Sequence, residues 1–373
     1  MKKISRRSFV ASAGMLAAAL PLGASAFNFV PSKGKGYHFM LLGDIHYDKL
    51  YHHDMDYVKM RYPNDISQII NYSLVTEQYL PTLMEVVRKK GRVNKSDFYI
   101  QLGDFVEGLC GSKELAELQT TEFIEYIKDQ KLRRPFFVVK GNHDITGEGA
   151  REVYDETVLP WQSKELKQEL QHSCASFVYK NSRFIFFDCY NADQSLEWLK
   201  EDLKSMKEEK LFFSVHMPLV PFNARSTWHV YSKPSDQAKR QELLELLGKY
   251  NAFVLCGHLH KTNVLKRTTD SGSIVQVCLG SVMNPKQTEV RDHLRGISSY
   301  NESLVELEPR FHPESLNERK RILNAEKPFI KFFEYADFCG YSEMEVTDQG
   351  DVNFTIYHNS NDQPWKTFNL ASL

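Results

Sequence analysis

Residues 135–144 read PFFVVKGNHD, a short apolar run that closes on a glycine followed by an amide, an imidazole and a carboxylate. On its own the cluster is a turn, because glycine permits unusual backbone angles and Asn and Asp hydrogen-bond their own backbone. Its meaning comes from the rest of the chain. Runs rich in Phe, Val, Ile and Tyr recur as YHFMLLG, DFYIQLG, SFVYK, RFIFFDC, LFFSVH, AFVLCG and SIVQVCLG, each of strand length. Between them lie longer helical patterns, expected over about 65–90, 113–131, 194–209 and 235–249, without internal repeats or low-complexity tracts. Such alternation makes an α/β chain.

Five of the expected strands end in metal-ligating residue types: Asp44-Ile45-His46, Gly103-Asp104, Gly141-Asn142-His143-Asp144, His216-Met217-Pro218 and Gly257-His258-Leu259-His260. In open α/β sheets ligands bind beyond the carboxyl ends of strands, where residues remote in sequence converge. Carboxylates and imidazoles beside apolar strands cost free energy unless paired or ligated. Five such ends in one chain point to a shared site.

These blocks, D-x-H, G-D, G-N-H-D, H and G-H-x-H in that order, resemble the calcineurin-like metallophosphoesterases over roughly residues 37–285. The specificity lies in the set, GNHD with a later GHLH above all. The resemblance implies a four-layer α/β/β/α sandwich of two mixed sheets. It also implies a dinuclear centre in which Asp44, His46, Asp104 and His260 hold one ion, and Asp104, Asn142, His216 and His258 the other. Asp104 would be the bridge, since a carboxylate has two oxygens to share between ions roughly 3.5–4 Å apart. In GHLH, alternate residues of an extended segment point the same way, so His258 and His260 can each face one ion of a pair. A metal-bridging hydroxide would attack phosphorus, and no Ser or Cys nucleophile is required.

His143 receives no ion in this scheme and is expected to meet the leaving oxygen, with Asp144 orienting its ring. Asp144 also reads as a helix N-cap. Mixed N/O ligation suits Fe, Mn or Zn. Purple acid phosphatases share the layout but carry a tyrosine ligand three positions after the second-block Asp, where this chain has Glu107, so no ferric-tyrosinate colour is expected. The leading expectation is a phosphomonoesterase; a phosphodiesterase on the same site and a non-catalytic metal-binding or scaffold protein are the alternatives.

Specificity is expected from rim segments after the first and fourth blocks, with His52, His53, Arg225, Trp228 and His229 as substrate contacts, joined by Asn142 from the centre. Arg225 suits phosphate best, because a guanidinium pairs with it through two hydrogen bonds. Beyond residue 285 a charged stretch, 289–327, leads to GYSEMEVTDQGDVNFTIYHN, which reads as a hairpin. Residues 286–373 are therefore expected to pack on the same domain. They are too few for the large separate C-terminal domain of exported 5′-nucleotidases.

The formal net charge of -1 gives no reason to expect bulk nucleic-acid binding. At the N-terminus, basic MKKISRRSFV precedes an apolar run ending in Ala24-Ser25-Ala26, so residues 1–26 read as a signal peptide of twin-arginine type. The mature chain would be periplasmic without a transmembrane segment, the alternative being an uncleaved anchor. Six scattered cysteines lack any C-x-x-C pair, which suggests neither a thiolate zinc site nor a dense disulfide framework. Oligomeric state is not encoded in any pattern found.

Overall fold

In a computed structural model, the structure describes residues 25–26, 34–284, 286–307 and 313–373. The expected leader lies outside the described residues except for Ser25–Ala26. In chain order the strands are β1 Ser25–Ala26, β2 Tyr37–Leu42, β3 Phe98–Gln101, β4 Phe136–Val138, β5 Ala175–Tyr179, β6 Ser182–Phe187, β7 Lys210–Val215 and β8 Phe253–Cys256. They continue as β9 Thr262–Thr268, β10 Ser273–Cys278, β11 Arg291–Arg295, β12 Ile330–Asp337, β13 Gly340–Val346, β14 Val352–His358 and β15 Pro364–Asn369.

The strands form two mixed sheets, ordered β1-β5-β6-β7-β8-β10-β9-β12-β11 and β15-β14-β13-β2-β3-β4. Parallel pairing links β2, β3 and β4 in the smaller sheet and β6, β7, β8 and β10 in the larger. Alternation along β2 shows how the layers arise. Tyr37, Phe39 and Leu41 face the other sheet, packing with Phe98, Phe137, Phe177, Phe184 and Phe212. Met40 and Leu42 face outward into a second cluster with helix residues Val75, Leu83, Met84, Phe123 and Trp161. Period-2 side chains that are apolar on both faces are those of strands covered on both sides.

A third cluster places helix residues Leu196, Leu199, Leu243 and Leu247 on the outer face of the larger sheet, against Ile185, Phe213 and Val254. The order is helix, sheet, sheet, helix. Aromatic stacking stiffens the middle: Phe184 lies flat on Phe177 at 4.8 Å and on Phe212 at 4.9 Å between centroids.

The expected helix over 65–90 is two helices, Ile66–Gln78 and Leu80–Val93. Pro81 sits in the first turn of the second, where its missing N–H costs nothing, and it cannot serve as the interior of a continuous helix. The charged stretch contains β11, whose side chains are largely exposed at the edge of the larger sheet. Charges there discourage pairing with another chain. The hairpin expected near the C-terminus is β13–β14, in register from Gly340↔His358 to Val346↔Val352, and β13 pairs in turn with β2. All six cysteines are unpaired. Among the described residues, no helix is long and apolar enough to cross a membrane.

Candidate metal centre

The loops that follow β2, β3, β4, β7 and β8 meet at one end of the sandwich, bringing the five sequence blocks together. Their backbone is unusual. His46, Asp104, His258 and His260 have φ of 50°, 55°, 74° and 55°, the left-handed region that costs a non-glycine residue roughly 1–3 kcal/mol. Hydrogen bonds between the loops hold them there: the amides of Ile45 and His46 donate to the Asp104 carbonyl, and the amide of Gly257 donates to that of His216. The approach is close enough to demand glycine. A Cβ on Gly103 would stand 2.3 Å from His216 Nδ1, and one on Gly141 would stand 2.2 Å from Asp104 Oδ1.

Three groups of ligating atoms result among the described residues, Asp44 with His46 and His260, Asp104 with His216 and His258, and His46 with Glu107 and His143; within each the atoms lie within 4.8 Å of one another, and the first two hold the residues of the expected centre. His260 Nε2 is 3.0 Å from both Asp44 Oδ2 and His46 Nε2. His216 Nε2 is 3.0 Å from Asp104 Oδ2 and 3.2 Å from His258 Nδ1. Asp104 Oδ2 is also 4.0 Å from His46 Nε2, so this oxygen faces both groups.

Partners fix the ring protons. His216 Nδ1 donates to the Leu102 carbonyl at 2.7 Å, leaving Nε2 as its lone-pair nitrogen towards Asp104 when the ring is neutral. Asn142 Oδ1 accepts from the hydroxyl of Tyr190 at 3.3 Å, keeping a second lone pair free, and the ring of Tyr190 lies 6.4 Å from that of His216 in the second group. A cleft of about 1070 Å³ runs from Tyr190 past Lys140, Arg151 and Lys164.

The electrostatics are those of a place that draws in positive charge. Burial opposes protonation of His216, yet Asp104 and then Asp44 raise its pKa to about 10. Burial likewise opposes protonation of His143, which Glu107 and Asp104 lift to about 9. Burial pushes Asp104 up, but His216 and His143 together hold it well below the usual carboxylate range. His46 and His258 are driven down, first by burial and then by neighbouring imidazoles. Asp44 Oδ2 is buried without a hydrogen-bond donor. Orphaned carboxylate oxygen and facing imidazole nitrogens are the donor set that suits divalent transition ions. The residues fit such ions.

His143 stands next to the first group, its ring 4.7 Å from that of His46. Its orientation corrects one expectation. Nδ1 donates to the carbonyl of Glu107 at 2.6 Å, whereas the Asp144 carboxylate accepts the amides of Gly141, Asp104, Phe105 and Val106 at 2.7, 3.1, 2.8 and 3.3 Å. Asp144 thus shapes the loop that presents Asp104, and its carboxylate neither holds the ring of His143 nor caps a following helix.

Two rim expectations also change. His52 and His53 are buried, not displayed: His53 Nε2 lies 2.7 Å from Asp48 Oδ1 and His52 Nε2 lies 3.1 Å from Glu122 Oε2. Asp48 is fully buried and also accepts from Ser73 and Gln119, which explains why it gathers the histidines inward. His229 is buried as well, its Nδ1 donating to the Val230 carbonyl, among the charges of Arg240, Glu326 and Arg267. Arg225 opens a short turn on the loop after His216, near enough for its charge to lower the pKa of His258. Trp228 is half exposed, with the Arg319 guanidinium 4.3 Å above its ring.

Three residues escaped the sequence reading as parts of the site. Glu107, noted there only as the absence of a tyrosine, is fully buried with Oε2 2.7 Å from His46 Nδ1 and Oε1 accepting from Gln68. Tyr72 lies flat on His46, ring centroids 4.3 Å apart, and its hydroxyl is 3.2 Å from His260 Nδ1. Tyr190 holds Asn142, as described. Neither tyrosine belongs to a short motif, and the one available signal is that Gln68, Tyr72 and Thr76 form a polar i, i+4, i+8 stripe on a helix.

A family model for calcineurin-like phosphoesterases matches residues 37–262. Among solved structures, the fold is similar to purple acid phosphatase PPD1 from yellow lupin (Lupinus luteus) seeds, with 12% identity and a TM-score of 0.51 over 91% of this chain and 54% of that one. It is similar too to the structure of PhoD, with 12% identity and a TM-score of 0.50 over 90% of this chain and 68% of that one. This chain therefore spans about half the length of the lupin protein. No curated protein matches the sequence. At such identities the structural likeness speaks for the fold alone.

Proposed function

Because the chain belongs to the calcineurin-like phosphoesterase family, we propose that it hydrolyses small phosphate monoesters at a centre of two transition-metal ions, Fe, Mn or Zn. The observation that carries this reading is Asp104 Oδ2, which faces His216 Nε2 at 3.0 Å and His46 Nε2 at 4.0 Å, a carboxylate shared by two groups of donors. Asp44, His46, Asp104 and His260 would hold one ion, and Asp104, Asn142, His216 and His258 the second. When bound, the ions supply Lewis acidity and a water acidic enough to act as nucleophile near neutral pH.

The remaining work falls to side chains. His143, with Nδ1 committed to the Glu107 carbonyl, presents Nε2 as the group that protonates the leaving oxygen. Glu107 and Asp104 raise the pKa of that ring against the cost of its burial. Arg225, on the rim beside His258, is suited to a phosphoryl oxygen. His229, buried among Arg240, Glu326 and Arg267, is not assigned a contact.

We also infer that residues 37–285 form the catalytic unit and 286–373 complete the same domain, supported by the pairing of β13 with β2 and of β12 with β9. Residues 1–26 are proposed as a twin-arginine export leader on sequence grounds alone. The test is hydrolysis of p-nitrophenyl phosphate, bis-p-nitrophenyl phosphate, nucleotides and sugar phosphates with added Mn, Fe or Zn, and again with chelator. Chelator-sensitive turnover favouring monoesters is expected. A preference for the diester would reassign the substrate, and no turnover with any metal would leave a metal-binding protein without catalysis.

A further inference from the structure

Resting on the metal-centre reading, we propose that Tyr72 and Ser281 form a directional hydrogen-bond relay that fixes the tautomer of His260, making both positioning residues for the ion held with Asp44 and His46. The relay starts at a group that can only accept. Ser281 Oγ lies 2.9 Å from the backbone carbonyl of Asp44, so the serine must donate its proton there. Having spent that proton, Ser281 can only accept from Tyr72, whose hydroxyl lies 3.4 Å away. Tyr72 then donates to Ser281 and has only lone pairs left for His260 Nδ1, 3.2 Å from its oxygen.

Consequently Nδ1 of His260 carries the proton and Nε2 the lone pair. That nitrogen is the one 3.0 Å from Asp44 Oδ2 and from His46 Nε2. The other tautomer would leave two acceptors facing each other, the Tyr72 oxygen against either the bare Nδ1 or the Ser281 oxygen, and place a proton where the ion belongs. Tyr72 and Ser281 are buried, so water does not readily replace a missing partner. Stacking of Tyr72 on His46 restrains the neighbouring ligand as well.

The same helix, Ile66–Gln78, reaches the centre at two further points of its polar stripe. Gln68 donates to Glu107 Oε1 at 2.9 Å, and Thr76 Oγ1 accepts from the Asp48 amide at 2.9 Å. Its opposite side leaves Ile70 and Leu74 exposed. Beside its apolar contacts through Ile69 and Val75, the helix therefore turns a polar stripe towards the site.

Two variants of the full chain separate the relay from simple packing. In Tyr72→Phe, His260 Nδ1–H loses its acceptor while the stack on His46 is kept. In Ser281→Ala, the Tyr72 hydroxyl loses its acceptor and turns to donate to Nδ1, which moves the ring proton to Nε2. Each variant is expected to raise the Kd for Zn2+ at the Asp44 group about 10-fold, the usual loss on removing an orienting partner, measured by competition with a chromophoric chelator, and to leave the Asp104 group unchanged. Long-range 1H–15N spectra of the chelated protein, with the His260 signal identified through His260→Gln, should show the Nδ1–H form in wild type and the Nε2–H form in Ser281→Ala. An Nε2–H wild type, or a Ser281→Ala variant with unchanged tautomer and affinity, overturns the relay. Failure of the wild type to bind zinc would instead sink the metal-centre reading, because the spectrum tests the relay by itself.

Discussion

Nδ1 of His143 donates to the main-chain carbonyl of Glu107 at 2.6 Å, while the Glu107 side chain reaches His46, with Oε2 2.7 Å from that ring's Nδ1. One residue thus serves two imidazoles through chemically separate atoms. Its carboxylate pairs with a proposed metal ligand and also raises the pKa of the proposed acid, whose ring its backbone carbonyl orients.

That division makes Glu107→Gln informative. The substitution keeps the backbone carbonyl and removes the charge beside His46, so metal affinity should fall roughly 10-fold. With metal restored to saturation, the variant should donate a proton to poor leaving groups less well as pH rises above neutral, because a charge that raises the pKa of His143 is gone. A pH–rate profile for poor leaving groups identical to wild type would show that the carboxylate, 3.7 Å from His143 Nδ1, does not act on that ring.

Asp144 carries a structural expectation. Its carboxylate accepts four backbone amides of the loops around Asp104 and Gly141. Asp144→Asn removes the charge and reverses one acceptor, and leaving buried amides short of a partner should cost about 1–3 kcal/mol. Urea unfolding of the metal-free chain measures it. Unchanged stability together with lost proton donation would restore Asp144 to the orienting role that the sequence suggested.

His229 offers a test by pH. Burial first, and then the Arg240 charge, hold its pKa near 4, against 6.5 for a free histidine. Between those values the unfolded chain binds a proton that the folded chain refuses, so stability falls as pH drops from 6.5 towards 4. At roughly 1.36 kcal/mol per pH unit the cost is about 3 kcal/mol. In His229→Gln the deficit relative to wild type seen at pH 7 should shrink by roughly 2–3 kcal/mol at pH 4.5, by urea unfolding in chelator. A deficit constant across pH would place the histidine in contact with water.

What the sequence revealed and what it hid divide along a physical line. Asp44, Asp104, Asn142, His216 and His258 follow strands whose apolar alternation is visible, and strand ends are where an α/β sheet gathers ligands. Those residues announce themselves by position. Tyr72 and Tyr190 act through one hydroxyl each, at points set by how a helix or loop packs, and no spacing rule reports that. His52 and His53 misled for the converse reason. Their segment reads as a polar rim, but Asp48, five residues before His53, draws both rings into the interior. Pro81 was a legible helix boundary that periodicity alone overrode.

The proposed role of His143 separates it from the ligands around it. His143→Gln should leave metal content near wild type, because its ring lies beside the Asp44 group without belonging to it in the proposed centre, and should lower kcat by roughly 10²–10⁴, the usual contribution of a positioned acid. The loss should depend on the leaving group. With p-nitrophenyl phosphate the departing phenolate needs little proton donation, whereas an alkyl phosphate releases a strongly basic alkoxide, so the defect should grow along a series of esters of rising leaving-group pKa. An equal defect across the series would mean that His143 stabilises phosphoryl oxygens by charge and donates no proton. Loss of one metal equivalent in the variant would mean that His143, Glu107 and His46, whose ligating atoms also lie within 4.8 Å of one another, hold an ion themselves.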